Sequence, residues 1–150
     1  LLFHSPNLIN TFAFYIYSYA ENEQEAIWEA ERVIRAIQNY NVTLSQPIFL
    51  DLESTFNSSE YGPNDYLPIV RAFKKRLTDS GYESKIYTYK YWADTALNTP
   101  ELRNDIAWVA QYNHHCTYDG NYIGWQYSST ESVPGISGNV DMSVWFTNFS

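Results

Sequence analysis

Pro47-Ile48-Phe49-Leu50-Asp51-Leu52-Glu53 is an apolar, strand-like run that ends in two carboxylates spaced i, i+2. Alternation along a strand sends both acids to one face, roughly 6.5–7 Å apart along the backbone. Leu52 points the other way, into packing. Two acids leaving a buried strand together repel each other and lose solvation. That raises the pKa of one, and a carboxyl still protonated at neutral pH is what a general acid requires. Short Asp-x-Glu triplets also occur by chance as solvated surface pairs. The apolar run ahead of this one favours chemistry, and glycoside hydrolysis is the first such chemistry to consider.

The rest of the chain narrows the choice. Its 150 residues suffice for one domain with a sizeable core. Seventeen acidic residues against nine basic ones give a formal charge of −8, which argues against a nucleic-acid partner, whose phosphates demand Lys/Arg patches. Aromatic residues make up 18%, with 14 Tyr and 5 Trp. Each offers a flat apolar face with a hydrogen-bonding edge, which suits sugar rings and equally suits a Tyr-rich core.

Cys116 is the only cysteine, so neither an intrachain disulfide nor a multi-cysteine zinc site is available. His114, His115 and Cys116 are sequence neighbours whose side chains diverge, and they read as loop residues. No apolar stretch approaches the length of a membrane span. No basic segment followed by an apolar core marks a signal peptide. Asn41-Val-Thr43, Asn57-Ser-Ser59 and Asn148-Phe-Ser150 are formal glycosylation sequons that matter only in a eukaryotic secretory setting.

Working outward from the acidic run, strands and helices alternate. Residues 11–19 favour a strand. Residues 21–39 carry Ala26, Ala30, Val33, Ile34 and Ile37 on one helical stripe, with acidic residues in the first turns. Asn64 is placed to cap a second helix with Leu67, Val70, Phe73 and Leu77 inward, stopped at Gly81. Further strands are expected over 85–88, 106–112, 122–127 and 140–146, with a short helical or irregular stretch over 92–102. The β-α-β-α-β order predicts a parallel sheet, and the helix-poor tail predicts an α/β barrel that is irregular at its C-terminal end. In such barrels chemistry collects at the C-terminal ends of strands, where Asp51 and Glu53 stand. A doubly wound sheet is the alternative, although no Gly-rich phosphate loop opens a helix.

The segment Ile123-Gly-Trp-Gln-Tyr-Ser-Ser-Thr-Glu-Ser-Val-Pro-Gly-Ile-Ser-Gly-Asn-Val-Asp141 resembles the C-terminal signature of the family 25 glycoside hydrolases, the Chalaropsis-type lysozymes of bacteria, phages and some fungi. Phe49-Leu-Asp-Leu-Glu53 is similar to their acidic strand. Tyr15-Ile-Tyr-Ser-Tyr-Ala20, Gly81-Tyr82 through Ile86-Tyr87, and Trp108-Val-Ala-Gln-Tyr112 resemble family segments in family order. The resemblance implies a TIM-like β/α barrel. It also implies hydrolysis of the β-1,4 bond between N-acetylmuramic acid and N-acetylglucosamine in peptidoglycan, without metal or cofactor, by a secreted, wall-directed or phage-borne protein.

By the same resemblance Glu53 is the general acid and Asp51 its partner carboxylate. Asp51 would act either by orienting the substrate's acetamido group or as a direct nucleophile. Asp141 matches a late acidic position, with a strand-end structural role as the alternative. Tyr15, Tyr17, Tyr87 and Trp125 fall at or beside motif positions, where they either contact sugar or pack the barrel. Gln111 and Gln126 lie on similar strands and either meet substrate or satisfy buried polar groups. Trp28, on a helix, reads as packing.

The sequence departs from the family pattern at its start. Relatives carry an earlier strand with an Asp, and no Asp precedes Asp51 here. Residues 1–150 are therefore expected to be a single catalytic domain lacking the family's N-terminal segment. A glycan-binding relative that does not cleave is the alternative function.

Overall fold

The computed structural model describes residues 14–53 and 62–146. In chain order they form β1 (Tyr15–Tyr17), α1 (Glu23–Asn39), β2 (Ile48–Asp51), α2 (Pro63–Thr78), β3 (Ser84–Tyr89), α3 (Lys90–Asp94), α4 (Pro100–Asp105), β4 (Ile106–Ala110), β5 (Gly124–Glu131) and β6 (Val140–Trp145). The strands lie side by side in sequence order. β1 to β5 are parallel and β6 runs antiparallel to β5. A doubly wound sheet would reverse its order partway; this one winds in one direction, as a barrel does. Residues 111–123 join two parallel strands without a helix, which is the helix-poor end expected.

Helix α1 starts where Asn22 accepts a hydrogen bond from the Glu25 N–H at 3.0 Å. Its stripe of Ala26, Ala30, Val33, Ile34 and Ile37 is buried. Trp28 falls off that stripe and is 55% exposed, so it does not pack as expected. Helix α2 begins at Pro63 with Gly62 as its cap, two residues before the cap expected at Asn64. Proline suits the first turn, where its missing N–H has no partner to lose. The Asp65 carboxylate accepts from the Gly62 N–H at 2.7 Å. Beyond the helix Gly81 takes φ +84°, the left-handed conformation expected at the stop.

The two sheet faces are filled differently. Ile48, Leu50 and Leu52 of the β2 run pack under α1 and α2 with Phe73, Leu77 and Ile86. The other face carries Phe49, Tyr87 and Trp108, with Tyr15 and Trp145 against them. That face is concave. In a flat sheet β2 and β6 would stand about 19 Å apart at ordinary strand spacing. The rings of Phe49 and Trp145, on those two strands, lie 5.8 Å apart, so the sheet is curled into a half-barrel. A bulge contributes: Ile86 pairs with Ile106 but Tyr87 with Trp108, which leaves Ala107 as an extra residue in β4.

Expected strand boundaries shift where pairing decides them. β4 ends at Ala110, not residue 112, and the Gln111 N–H still bonds the Gln126 carbonyl at 3.0 Å. β5 runs on to Glu131 because β6 pairs with it there. Within residues 11–19 the strand covers Tyr15–Tyr17, and residues 11–13 lie outside the described part, as do the sequons at Asn57 and Asn148. No helix among the described residues is long and apolar enough to cross a membrane.

Gly124 stands opposite Trp145, and a Cβ there would meet the indole at 2.5 Å. That indole is wedged against Trp108, with ring centroids 5.1 Å apart. Gly124→Ala must displace it and is expected to lower stability by about 1–3 kcal/mol. Urea unfolding followed by tryptophan fluorescence measures this, and an unchanged midpoint would show that the concave face repacks freely.

Candidate active site

One row of residues crosses the whole concave face. Tyr17 pairs with Asp51, Asp51 with Tyr87, Tyr87 with Trp108, Trp108 with Gly124 and Gly124 with Trp145. The next row toward the C-terminal ends of the parallel strands holds Tyr89, Ala110, Gln126 and Ser143. Glu53 is two residues beyond Asp51, and alternation keeps it on this side. Asp141 is two residues from Ser143 on β6, exposed at the rim.

Asp51 has no exposed surface. The Tyr15 hydroxyl donates to its Oδ2. Among the described residues its Oδ1 has no hydrogen-bond partner. Burial pushes the Asp51 carboxyl up to about 8; the Tyr15 hydrogen bond opposes this and the Glu53 charge adds to it. Glu53 is only partly buried. Its pKa is also raised, by burial first, against a hydrogen bond from Tyr87 and with help from the Asp141 charge. The expectation of one raised carboxyl thus becomes two, with desolvation ahead of mutual repulsion. The phenols of Tyr15, Tyr87 and Tyr89 are likewise pushed up, chiefly by burial, and remain neutral hydrogen-bonding groups.

The backbone that carries these acids is held from both neighbours. The Ser18 N–H bonds the Asp51 carbonyl and the Leu52 N–H bonds the Tyr87 carbonyl, each at 3.0 Å. Thr88 Oγ1 donates to the Leu52 carbonyl at 2.7 Å, and the Tyr17 hydroxyl reaches the Glu53 carbonyl at 3.4 Å. Buried Glu29 of α1 accepts from Ser18 Oγ and the Tyr19 N–H, both at 2.7 Å, and so ties down the chain leaving β1.

Of the candidates read from the sequence, the structure brings together Asp51, Glu53, Tyr15, Tyr17 and Tyr87, with Asp141 close enough for its charge to act on Glu53, Tyr15 and Tyr89. It does not bring in Trp125 or Gln111. Trp125 pairs with Val109 and Val144, on the face opposite Gln126, and its indole N–H donates to the Gln111 carbonyl at 2.9 Å. The Gln111 side chain bonds Thr117 in the β4–β5 loop, the same loop that holds His114, His115 and Cys116.

Sequence reasoning did not single out Tyr89, Trp108, Ser143 or Trp145 as site residues. Trp108 packs on Tyr87 at 4.6 Å between ring centroids and its indole N–H donates to Ser143 Oγ at 3.2 Å. The Tyr89 and Tyr112 hydroxyls share a hydrogen bond of 2.8 Å at the rim. A signal existed for two of them. Tyr87 and Tyr89 repeat the i, i+2 spacing of Asp51 and Glu53, and Trp145 follows Asp141 at even spacing.

Residues 8–136 match the Glycosyl hydrolases family 25. The autolytic lysozyme of Clostridium acetobutylicum is 31% identical over 117 residues, which cover 76% of this chain and 34% of that protein. The modular autolysin LytC of Streptococcus pneumoniae, solved in complex with a synthetic peptidoglycan ligand, superposes with a TM-score of 0.81 at 33% identity, over 88% of this chain and 33% of LytC. The catalytic domain of endolysin ply40 from bacteriophage P40 of Listeria monocytogenes shares the fold, with a TM-score of 0.68 at 21% identity over 93% of this chain and 69% of that one. The chain thus spans about a third of the length of the autolytic lysozyme and of LytC. With its acidic strand and half-barrel in place, and most of its length matched, this chain belongs to glycosyl hydrolase family 25.

Proposed function

We propose that residues 1–150 belong to a single catalytic domain of a peptidoglycan hydrolase, a lysozyme-type N-acetylmuramidase cleaving the β-1,4 bond between N-acetylmuramic acid and N-acetylglucosamine. The observation that carries this is the pair at the end of β2: a partly open Glu53 with a raised pKa, backed by a fully buried Asp51. LytC, matched over most of this chain, binds a peptidoglycan ligand, and the concave face presents the acids and tyrosines to which a glycan strand could bind. The site of action is the cell wall, reached by secretion or from a phage.

In this reading Glu53 protonates the glycosidic oxygen as the bond breaks. It must hold its proton until then, and burial together with the Asp141 charge favours that. The burial of Asp51 supports a role in orienting the reacting acetamido group by hydrogen bonding over direct attack. A carboxyl with no exposed surface, bonded to Tyr15 and mostly neutral at pH 7, is a poor nucleophile. Asp141 meets the substrate from the rim. Tyr15 and Tyr87 act mainly on the carboxyls, and Tyr17 and Tyr89 line the approach. The chemistry asks for no metal or cofactor.

Glu53→Gln keeps the shape and removes the proton donor. Turnover of purified peptidoglycan should fall by about 10²–10⁴-fold while glycan binding survives. Mass spectrometry of the released muropeptides reads this, and new reducing-end muramic acid formed by the variant at the parent's rate would remove Glu53 from the mechanism. Asp51→Asn should also depress turnover strongly; retained full activity would show that Asp51 takes no part.

The same substitution has a stability signature. The Asp51 pKa is raised from 3.8 to about 8 on folding. The folded state therefore holds a proton that the unfolded chain gives up, and this contribution is complete below about pH 4 and is lost as pH rises through about 8. Asn cannot ionise. Denaturation curves from pH 4 to 9 should show the parent losing on the order of a few kcal/mol that Asp51→Asn keeps. Parallel curves would mean that Asp51 ionises freely in the fold.

A further inference from the structure

We propose that Gln126 is a positioning residue that holds the proton on Glu53 by taking the only hydroxyl proton of Tyr87. The meaning of this for catalysis rests on Glu53 being the acid; the proton arrangement itself does not.

Tyr87 is buried, with its hydroxyl between Gln126 and Glu53. It donates to Gln126 Oε1. A phenol has one proton, so once Gln126 has it, the Tyr87 oxygen offers Glu53 lone pairs alone. Gln126 and the Glu53 carboxylate therefore compete for that proton: the Tyr87 bond that lowers the Glu53 pKa is open only when Gln126 gives the proton up. While Gln126 holds it, Glu53 bonds Tyr87 only as a donor, which favours the acid form of Glu53.

Loss of the Glu53 proton reverses the chain. Tyr87 turns its hydroxyl to the carboxylate, and Oε1 would then face a phenol lone pair. Rotation of the Gln126 amide by half a turn replaces Oε1 with Nε2, which donates to the Tyr87 oxygen. The acid state uses the amide as it stands, whereas the carboxylate state requires the amide to turn first. Gln126 is 3% exposed, so solvent competes little for either position. Its register also keeps it in place: it pairs with Ala110 on one side and Ser143 on the other, in the row above Tyr87.

Among the described residues, the titratable groups facing Glu53 are Tyr15 and Tyr17 of β1, Asp51 of β2, Tyr87 and Tyr89 of β3, and Asp141 of β6. Of these, the Asp141 charge also favours the protonated acid. Gln126 differs from them in acting through one hydroxyl and in being neutral throughout.

The direct test is nuclear magnetic resonance of the unsubstituted protein. The Gln126 side-chain amide resonances should shift with pH at the midpoint of the Glu53 carboxyl, assigned by its loss in Glu53→Gln, and should not titrate in that variant. Amide signals that ignore the Glu53 midpoint, or that titrate unchanged in Glu53→Gln, overturn the proposal. A second measurement removes the amide. Gln126→Met frees the Tyr87 proton for the carboxylate, so the Glu53 midpoint should drop by about one pH unit, tenfold in its ionisation constant. On a Tyr87→Phe background the same change should leave the midpoint where Tyr87→Phe alone puts it. An unmoved midpoint in Gln126→Met, or an equal drop without Tyr87, sinks the relay. If Glu53 is the acid, the basic limb of the pH profile of kcat/KM moves down with the midpoint. Full turnover by Glu53→Gln alongside a coupled amide titration would overturn the acid assignment and leave the relay standing.

Discussion

The constraint on which this structure depends is that β2 is covered on both faces and ends in carboxylates. Helices α1 and α2 cover Ile48, Leu50 and Leu52 on one side, and aromatic rings cover Phe49 on the other. A strand enclosed this way cannot turn its acidic residues outward before it ends. Asp51 is consequently desolvated in full, and Glu53 in part. Charge on either is costly there, and a neutral carboxyl at the end of a strand follows directly from the packing.

The concave face answers this cost with hydroxyls and an amide, each neutral. Tyr15 supports Asp51, and Tyr87 stands between Glu53 and Gln126. The rings that carry the two phenols are themselves packed on Trp108, at 5.9 and 4.6 Å between centroids. Packing and polar support are thus provided by the same residues. A substitution that loosens the aromatic row also moves the groups that decide where protons sit, and this couples stability to chemistry across the sheet.

Much of the fold was legible in the chain because local rules agreed. The α1 stripe of Ala26, Ala30, Val33, Ile34 and Ile37 became a buried face, and Gly81 took the left-handed turn. Where they failed, a competing local preference or a tertiary contact had won. Pro63 opened α2 ahead of Asn64, because proline fits a first turn so well. Trp28 is apolar yet lies off the buried stripe. β5 ran to Glu131 because a partner strand was there to pair with it, which no single-strand pattern reveals. Among the candidate site residues, the common face of Asp51 and Glu53 could be read from spacing, while the apolar run before them and the family resemblance singled them out. Trp125 shared a motif with Gln126 but stands on the opposite face, since adjacent residues of a strand diverge.

The sequence by itself determined the alternating order of strands and helices, the common face of Asp51 and Glu53, and the family to which the chain belongs. These depend on period and motif, which are properties of neighbours along the chain. The tertiary structure alone decided that the sheet curls, that Trp145 of the last strand meets Phe49 of the second, and that Gln126 faces Tyr87 across 39 residues of chain. Those contacts join residues remote in sequence. Register and curvature set them, and both are fixed by pairing and packing between strands that no local pattern encodes.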